Sequence, residues 1–480
     1  MKEFTQRAID LAAARGASYA DVRIVRRDNQ IIVVKDGKVE ALSNSESQGF
    51  GVRVIANGAW GFASSSQLNS GEIERVTELV LQIARASSLV KERDVDIGPS
   101  FSIVDTYQTP VRTDPFAVSL EQKINALLAA DAAMRRVKGI TVTESSFEAL
   151  KEEITFASSE GSYIEQRLIE TGGGIEATAV SEGEVQKRSY PNSFGRHQGK
   201  AGYEFFEDMK LAENGERIAE EAVKLLTAKQ CPSGITTLIL DPTQLALQIH
   251  ESCGHPTELD RAFGTEAAYA GTSFLMPDML GKFRYGSDQV TIVADATVPG
   301  GLGTFGYDDE GVPAQRTPLI ADGIFVGYLP SRETAARLGQ RSNGAARADG
   351  WNRIPLVRMT NVNIVPGQWT FEDLIADTDD GIYMQTNKSW SIDDKRLNFQ
   401  FGTEIAWEIK NGKLGEMLKN ATYAGITYEF WRSCDAICNA SYWNVWGTPN
   451  CGKGQPVQTA HVGHGASPAR FRNVRVGLIK

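Results

Sequence analysis

The chain is poor in cysteine, in histidine and in long apolar runs. It has 480 residues but only five cysteines and five histidines. A small, odd number of cysteines favours a reduced cytoplasmic protein over a secreted protein stabilised by disulfides. No stretch approaches the roughly 18 apolar residues of a membrane-spanning helix, and Met1–Gly16 lacks the apolar centre of a signal peptide. We therefore expect a cytoplasmic protein with no membrane partner.

An excess of positive charge is also missing. The formal net charge is −10, from 50 lysines and arginines against 60 aspartates and glutamates. This balance argues against a nucleic-acid binder that relies on bulk positive charge, and the sequence contains no recognition motif of that class. The hydrophobic content of 41% and the charged content of 23% are ordinary for globular proteins. We expect two or three domains and no nucleic-acid partner.

The first 230 residues are predicted to form an N-terminal region of two similar α+β units. One unit covers about residues 1–95 and the other about 112–230, and the polar, proline-containing stretch Val90–Thr113 is predicted to link them. Each unit has the order helix, antiparallel meander, helix, which is consistent with a structural duplication. Asp36-Gly37 and Asn57-Gly58 are strong signals for two-residue hairpin turns.

The remaining residues, 231–480, are predicted to form a β-rich C-terminal domain. Cys231-Pro232-Ser233-Gly234 marks its start, and the sequence beyond it is rich in glycine and in residues that favour strands. Thr236–Leu240 is predicted to be a buried strand that leads directly into a helix. The sequence therefore predicts the α+β fold class, with a mostly antiparallel C-terminal domain that carries this helix.

The helix contains the segment His250-Glu251-Ser252-Cys253-Gly254-His255, in which two histidines flank a carboxylate. The spacing H-E-x-x-x-H is one residue longer than the H-E-x-x-H of common zinc peptidases. At about 100° per residue, these two histidines lie roughly 140° apart around an ideal helix. They can share one metal only if the helix is distorted between them, for example by a π-bulge.

Local signals favour such a distortion. We expect a helix over roughly Pro242–Cys253 with Asp241 as its N-cap. Gly254 tolerates unusual backbone angles, and Pro256 cannot continue the helix. The helix should then end in a distorted turn that directs His255 toward a metal bound by His250. Glu251 would lie beside that metal as general base for a bound water.

Two histidines at this spacing also arise by chance, in which case they would be ordinary core residues. Metal binding is favoured because His250 ends the apolar run Leu245–Ile249, and a buried glutamate after it is costly without a partner. Glu258 and Asp260 follow, and such carboxylates orient ligand imidazoles through hydrogen bonds. The alternative for these two carboxylates is an ordinary solvated loop.

A catalytic zinc commonly has three protein ligands, so the motif needs a third from elsewhere in the chain. Cys253 lies three residues after His250, but a small residue in a buried helix is more typical of packing. Cys434 and Cys438 lack a second cysteine pair, which favours buried thiols over a structural zinc site.

Three further candidates lie near the end of the chain. His461 and His464 are interleaved with glycines, which predicts a loop that either supplies ligands or is only a surface turn. Cys451 lies in Asn450–Gln455, where two glycines allow close backbone approach and Lys453 would favour a thiolate. The residues alone favour Cys451 only slightly, and the other candidates stay open.

Several stretches together match the pattern of one known family. They are His250–Asp260, Tyr307–Gly311 with Pro313 and Gln315, Pro355–Asn361, Asn450–Gln455 and Ala20–Ser65. In combination they resemble the TldD/PmbA family, and the histidine motif is typical of its TldD-type members. The resemblance covers nearly the whole chain. It departs from the family pattern at Cys253, Pro256, His461 and His464.

The resemblance implies a zinc-dependent peptidase with one zinc per chain. Its ligands would be His250, His255 and Cys451, and Glu251 would be the catalytic base. Family members act on unfolded or small peptides, which lie extended against a strand edge in a closed chamber. The implied partner is a PmbA-type subunit that completes the chamber, or a second copy of this chain.

A second hypothesis is a non-catalytic subunit that binds peptides or serves as a scaffold, with a structural metal or none. The feature against it is Glu251 between the two histidines, because a structural metal site needs no base there.

Overall fold

In the computed structural model, the two predicted hairpin turns connect the first three strands of the chain. Asp36 and Gly37 have φ values of 48° and 79°, and Asn57 and Gly58 have 52° and 71°. Positive φ at both central residues is the geometry of a type I′ turn, which matches the twist of the two strands that it joins. The structure describes residues 1–477, so residues 478–480 of the predicted C-terminal domain lie outside it.

The helices and strands of the first 230 residues alternate in short groups. They are α1 (Lys2–Ala14), β1 (Tyr19–Lys35), β2 (Lys38–Ala56), β3 (Ala59–Ser65), α2 (Ser70–Ser87), β4 (Val104–Gln108), α3 (Leu120–Arg135), β5 (Ile140–Ser158), β6 (Tyr163–Ser181), β7 (Glu184–Tyr190), β8 (His197–Gly199), α4 (Glu204–Glu207), α5 (Leu211–Thr227) and β9 (Lys229–Gln230).

The later elements are mostly strands. They are β10 (Gly234–Leu240), α6 (Pro242–Ile249), α7 (Leu259–Ala262), β11 (Ile292–Asp295), β12 (Arg316–Ala321), β13 (Ile324–Phe325), α8 (Arg332–Ala336), β14 (Ala346–Arg347), β15 (Leu356–Val357), β16 (Val362–Ile364), α9 (Phe371–Ala376), β17 (Asp380–Ile392), β18 (Asn398–Lys410), β19 (Lys413–Lys419), β20 (Thr422–Ile426), α10 (Thr427–Arg432), β21 (Cys434–Ile437), β22 (Asn444–Lys453), β23 (Gln458–Ala466) and β24 (Ala469–Val476).

One eight-stranded sheet joins the two N-terminal units. Its order is β3-β2-β1-β5-β6-β4, and β7 and β8 also pair with β6. The units meet where β1 pairs antiparallel with β5, from Asp21 opposite Ser158 to Lys35 opposite Glu144. Helices α1 and α2 pack on a core in the first unit, and α3 and α5 pack on a core in the second. The first unit has the order helix, three strands, helix, and the second has the same order with the short β8 and α4 added before its last helix.

The stretch predicted to be a linker, Val90–Thr113, contains a strand. Strand β4 pairs parallel with β6, from Val104 opposite Tyr163 to Gln108 opposite Arg167. Val104–Gln108 is largely exposed. It therefore lacks the apolar alternation by which a half-buried strand is recognised in a sequence.

The C-terminal region is built around a sheet that closes on itself. Strands β17, β10, β24, β20 and β18 pair in this order, and β18 also pairs with β17, which completes a ring. Neighbouring strands of the ring are antiparallel, except that β10 and β17 are parallel. At the margin of the sheet, β9 pairs parallel with β19. Smaller sheets, β13-β12-β11-β16, β14-β15 and β22-β23, lie beside the ring. The predicted α+β class with a β-rich C-terminal part is confirmed.

Helix α6 leaves the ring directly after β10 and carries the histidine motif. It contacts the β22–β23 hairpin and β16. One large core surrounds these elements and includes Leu245 and Ile249 of α6. Among the helices of residues 1–477, none combines the length and the apolar character that a membrane crossing requires.

Candidate metal centre

The motif helix changes geometry at the first histidine. Asp241 caps α6, its Oδ1 accepting a hydrogen bond from the Thr243 backbone N–H at 2.9 Å. The α-helix ends at Ile249, and residues 250–254 form one π-turn before a short 3₁₀ turn at His255–Thr257. The wider π-turn places the two imidazoles side by side, with ring centroids 4.8 Å apart. The predicted distortion between the histidines is therefore present.

Gly254 has a different role from the one predicted. Its φ of −69° and ψ of −65° are helical angles, so the turn does not depend on unusual backbone freedom. A Cβ at this position would lie 2.0 Å from Met359 Sδ. Glycine is needed because Met359 packs directly against the turn.

The π-turn brings His250 and His255 to Cys451 of β22. One donor atom of each lies within 4.8 Å of the other two, and all three side chains are buried. Cys451 Sγ lies 3.7 Å from His255 Nε2. Donor atoms around one tetrahedral zinc are about 3.5 Å apart, given Zn–N of about 2.0–2.1 Å and Zn–S of about 2.3 Å. The spacing fits a single zinc with two nitrogen ligands and one sulfur ligand.

The ionisation of the three side chains also suits a metal. Burial lowers the pKa of His250, and it lowers the pKa of His255 to about 4, so both rings are neutral near pH 7. Burial alone would raise the pKa of the Cys451 thiol, but the Arg358 guanidinium brings it below its usual value. The nearby cation that favours the thiolate is thus Arg358, whereas the Lys453 ammonium lies 2.8 Å from Asp260. Neutral imidazoles and a thiolate are the forms that bind zinc.

His464 orients the ring of His250 through a hydrogen bond to its Nδ1 atom. His464 Nδ1 donates to the Val362 carbonyl at 3.2 Å, so its Nε2 is the acceptor in the neutral ring. Burial keeps the pKa of His464 well below its usual value, which favours that neutral form. His250 Nδ1 then donates to His464 Nε2 at 2.7 Å, and His250 Nε2 is left with a free lone pair. His464 thus orients a candidate ligand and is not itself in the three-residue cluster.

Glu258 holds the second histidine in the same way. His255 Nδ1 donates to Glu258 Oε2 at 2.9 Å, and Arg261 Nε donates to the same oxygen at 2.6 Å. Burial opposes ionisation of Glu258, but Lys453, His255 and Arg261 hold its pKa well below the usual range. Asp260 accepts from Lys453, and within residues 1–477 it makes no hydrogen bond to an imidazole. The expected contact between carboxylate and imidazole is present at Glu258 only.

Glu251 lies on the open side of the cluster. Its carboxylate accepts a hydrogen bond from Arg396 Nη1 at 2.6 Å. His250, Glu251, His255 and Cys451 line one cavity of about 300 Å³. Other walls come from residues 192–194 and Arg196 of the N-terminal region, from Trp390 and from residues 447–452. The cavity therefore lies between the N-terminal sheet and the C-terminal region.

The other candidate ligands lie elsewhere. Cys253 Sγ accepts a hydrogen bond from the Tyr285 hydroxyl at 3.4 Å, and Cys434 and Cys438 are buried thiols at and beyond β21. His461 Nδ1 pairs with Glu170 at 2.5 Å, away from the motif. His461 and His464 both lie in strand β23, so the predicted loop is wrong, and Cys451 likewise lies in a strand.

Sequence reasoning missed Arg358, Arg396 and the supporting role of His464. Arg358 donates to the carbonyls of Cys451 and Gln458 and so ties together the two strands of the β22–β23 hairpin. It lies in the Pro355–Asn361 stretch, whose only signal in the sequence is its resemblance to a family. Arg396 has no signal in its surrounding sequence, because its contact with Glu251 spans 145 residues.

Replacing His464 by alanine is expected to weaken zinc binding about 10–100-fold, the usual effect of removing a hydrogen-bond partner of a ligand histidine. The reason is that the His250 ring loses the acceptor that fixes its tautomer and orientation. Competition with a zinc chelator measures the change. The matched control is His461→Ala, three residues away on the same strand, which should leave zinc affinity close to wild type. Equal affinities for the two variants would contradict the role assigned to His464.

Known proteins match this chain over most of its length. Three domains described for the PmbA/TldA metallopeptidases match residues 20–84, 113–229 and 233–477. A metalloprotease of Methanocaldococcus jannaschii is 33% identical over 87% of this chain and 89% of that protein. A zinc metalloprotease TldD homolog of Saccharolobus solfataricus is 23% identical over 98% of each chain. The crystal structure of TldE from Thermococcus kodakarensis has a TM-score of 0.75 at 17% identity, over 98% of this chain and 99% of that one.

Proposed function

Since the chain belongs to the PmbA/TldA metallopeptidase family, as a TldD-type member, we propose that it is a zinc-dependent peptidase that cleaves unfolded or small peptides. His250, His255 and Cys451 are the proposed ligands of one zinc per chain, and Glu251 is the proposed base. The metallopeptidase class follows from the family. The residue roles, the metal and the substrates are the proposal.

The position of Glu251 is the main support for a catalytic site. The Glu251 carboxylate shares a cavity with the three candidate ligand side chains, next to His250 in the chain and at the start of the π-turn. A structural zinc site is usually closed by four protein ligands, whereas a catalytic site keeps a position open. Three donors and a carboxylate beside them fit the catalytic type.

When bound at these three side chains, zinc would polarise a carbonyl group and lower the pKa of water. Glu251 takes a proton from the water as the water oxygen adds to the scissile carbonyl carbon. The same carboxyl group then gives this proton to the amide nitrogen as the C–N bond breaks. His464 and Glu258 hold the two imidazoles in a fixed orientation throughout, because each accepts a hydrogen bond from Nδ1 of one ring.

The size and the walls of the cavity support the proposal of an extended peptide substrate. Its volume of about 300 Å³ suits a short segment of chain and excludes a folded domain. Residues 447–452 of β22 form one wall, so main-chain groups lie next to the site. Pairing between main chains gives affinity without a strong preference for sequence.

We include two further elements in the proposal. A PmbA-type or TldE-type subunit, or a second copy of this chain, pairs with it to close the chamber around the substrate. The similarity in fold to TldE supports a related architecture for such a partner. A cytoplasmic location is supported by five cysteines that are all free and buried.

The proposal is tested by incubating the zinc-loaded chain with an unstructured peptide and with a stably folded protein of similar composition. Cleavage of the peptide alone is expected, with loss of activity after zinc is chelated and recovery when zinc is restored. Product masses are followed over time, for the chain alone and with a TldE-type protein added. Stable zinc without cleavage in either mixture would contradict the proposal and favour a non-catalytic peptide-binding subunit.

A further inference from the structure

Arg396 lines the cavity of the candidate metal centre and has an unusual backbone conformation. It lies between β17 and β18, and its φ of 64° is in the left-handed region, which arginine rarely adopts. Such strain persists where the surrounding structure enforces it, and it concentrates at functional sites.

The turn around Arg396 is firmly held. Asp393 Oδ1 accepts a hydrogen bond from the Leu397 backbone N–H at 2.8 Å, and the Asp393 carbonyl accepts one from the Arg396 N–H at 2.9 Å. The Thr427 hydroxyl donates to the Arg396 carbonyl at 2.8 Å. The backbone is thus fixed from both sides, and the side chain is directed into the cavity.

The guanidinium of Arg396 has unused hydrogen-bonding capacity at the reaction site. One nitrogen, Nη1, donates to Glu251 Oε2 at 2.6 Å. Its Nε is buried and has no hydrogen-bond partner within residues 1–477. An oxygen-bearing ligand can still reach the guanidinium, because 17% of the Arg396 side chain is exposed and Arg396 lines the cavity.

We propose that Arg396 is a further catalytic residue, which binds the scissile carbonyl oxygen and stabilises the negative charge that develops there. This inference rests on the proposed peptidase function. As the water oxygen adds to the carbonyl carbon, the π electron pair moves to the carbonyl oxygen, and Glu251 accepts a proton from the water. Glu251 loses its charge in the same step in which the carbonyl oxygen gains one.

This exchange of charge explains why Arg396 is paired with the base in the free protein. In the ground state the guanidinium has an anionic partner in Glu251, and in the transition state it has a new one in the oxyanion. The contact to substrate is therefore strongest in the transition state, which is the condition for raising kcat. When the C–N bond breaks, the electron pair returns to re-form the carbonyl, the proton passes to the amine, and Glu251 regains its charge.

The test compares Arg396→Gln and Arg396→Lys with wild type in the zinc-loaded chain, with a TldE-type protein added if cleavage requires it. Removing a donor to an oxyanion commonly lowers kcat by about 10²–10³-fold, so the glutamine variant should show this loss with little change in KM. The lysine variant should lie between it and wild type. Arg196→Ala is the matched control. Its exposed guanidinium lines the same cavity, and its loss should lower kcat far less than the loss of Arg396 does.

A binding measurement completes the test without relying on turnover. A phosphinic peptide, which imitates the tetrahedral intermediate, should bind the glutamine variant more weakly by a factor similar to the fall in kcat, with bound zinc unchanged. If zinc is reduced in that variant, the lysine variant decides, and wild-type analogue affinity there would overturn the proposal. A raised KM with unchanged kcat would overturn it too, because Arg396 would then only bind substrate. If wild type itself fails to cleave, the peptidase function fails and not this inference alone.

Discussion

Replacing Glu251 by glutamine is expected to abolish peptide cleavage while leaving zinc bound. A general base commonly contributes about 10²–10⁴-fold to a rate, and the amide of glutamine cannot accept the proton. The three candidate ligands do not include Glu251, so the metal site should remain intact. The measurements are kcat for a peptide substrate and zinc content by elemental analysis of the same sample.

A control separates this effect from a general loss of charge. Glu416→Gln removes an exposed carboxylate that pairs with Lys229 and does not line the cavity. It should cleave peptide at the wild-type rate. If Glu251→Gln cleaved as fast as wild type, Glu251 would not be the base.

Replacing Cys451 by alanine should remove both zinc and activity. The loss of one protein ligand is expected to weaken zinc binding by roughly two to three orders of magnitude. This is about one ligand's share of the binding free energy of a structural zinc site. His250 and His255 alone would then retain zinc poorly during purification. Zinc content, chelator competition and cleavage are measured on the same preparation.

The matched control for this variant is Cys253→Ala. Cys253 is also a buried thiol and lies within the motif, but it is hydrogen-bonded to Tyr285 and is outside the three-residue cluster. The control should retain about one zinc per chain. Full zinc content in Cys451→Ala, or zinc lost only from Cys253→Ala, would contradict the proposed ligand set.

The local geometry of the motif could be predicted from the sequence because its cause is local. The histidines are five positions apart and so lie on different sides of a regular helix, which means that a shared metal required a distortion near Gly254 and Pro256. The π-turn at residues 250–254 is that distortion. The cap at Asp241 and the two hairpin turns were predictable for the same reason, since side chains next to them in the chain determine them.

The contacts that complete the site join residues that are far apart in the chain. The sequence therefore could not show which of the candidate residues meet. Cys451 meets His255 across 196 residues, and Arg396 meets Glu251 across 145. The glycines near His464 favoured a loop, but they are required inside a strand by close packing. A Cβ at Gly463 would lie 2.2 Å from Asn361 Oδ1, and one at Gly465 would lie 2.0 Å from the Trp443 ring. Glycine in a strand often marks such an approach by a neighbour, and only the tertiary structure reveals the neighbour.

Zinc content per chain, in protein purified without added metal or chelator, tests the central claim most directly. We expect about one zinc per chain in wild type, as for a site with three protein ligands and an open position. We also expect this zinc to be lost from Cys451→Ala. No bound zinc in wild type, even after zinc is added back, would contradict the account and leave His250 and His255 as ordinary buried histidines.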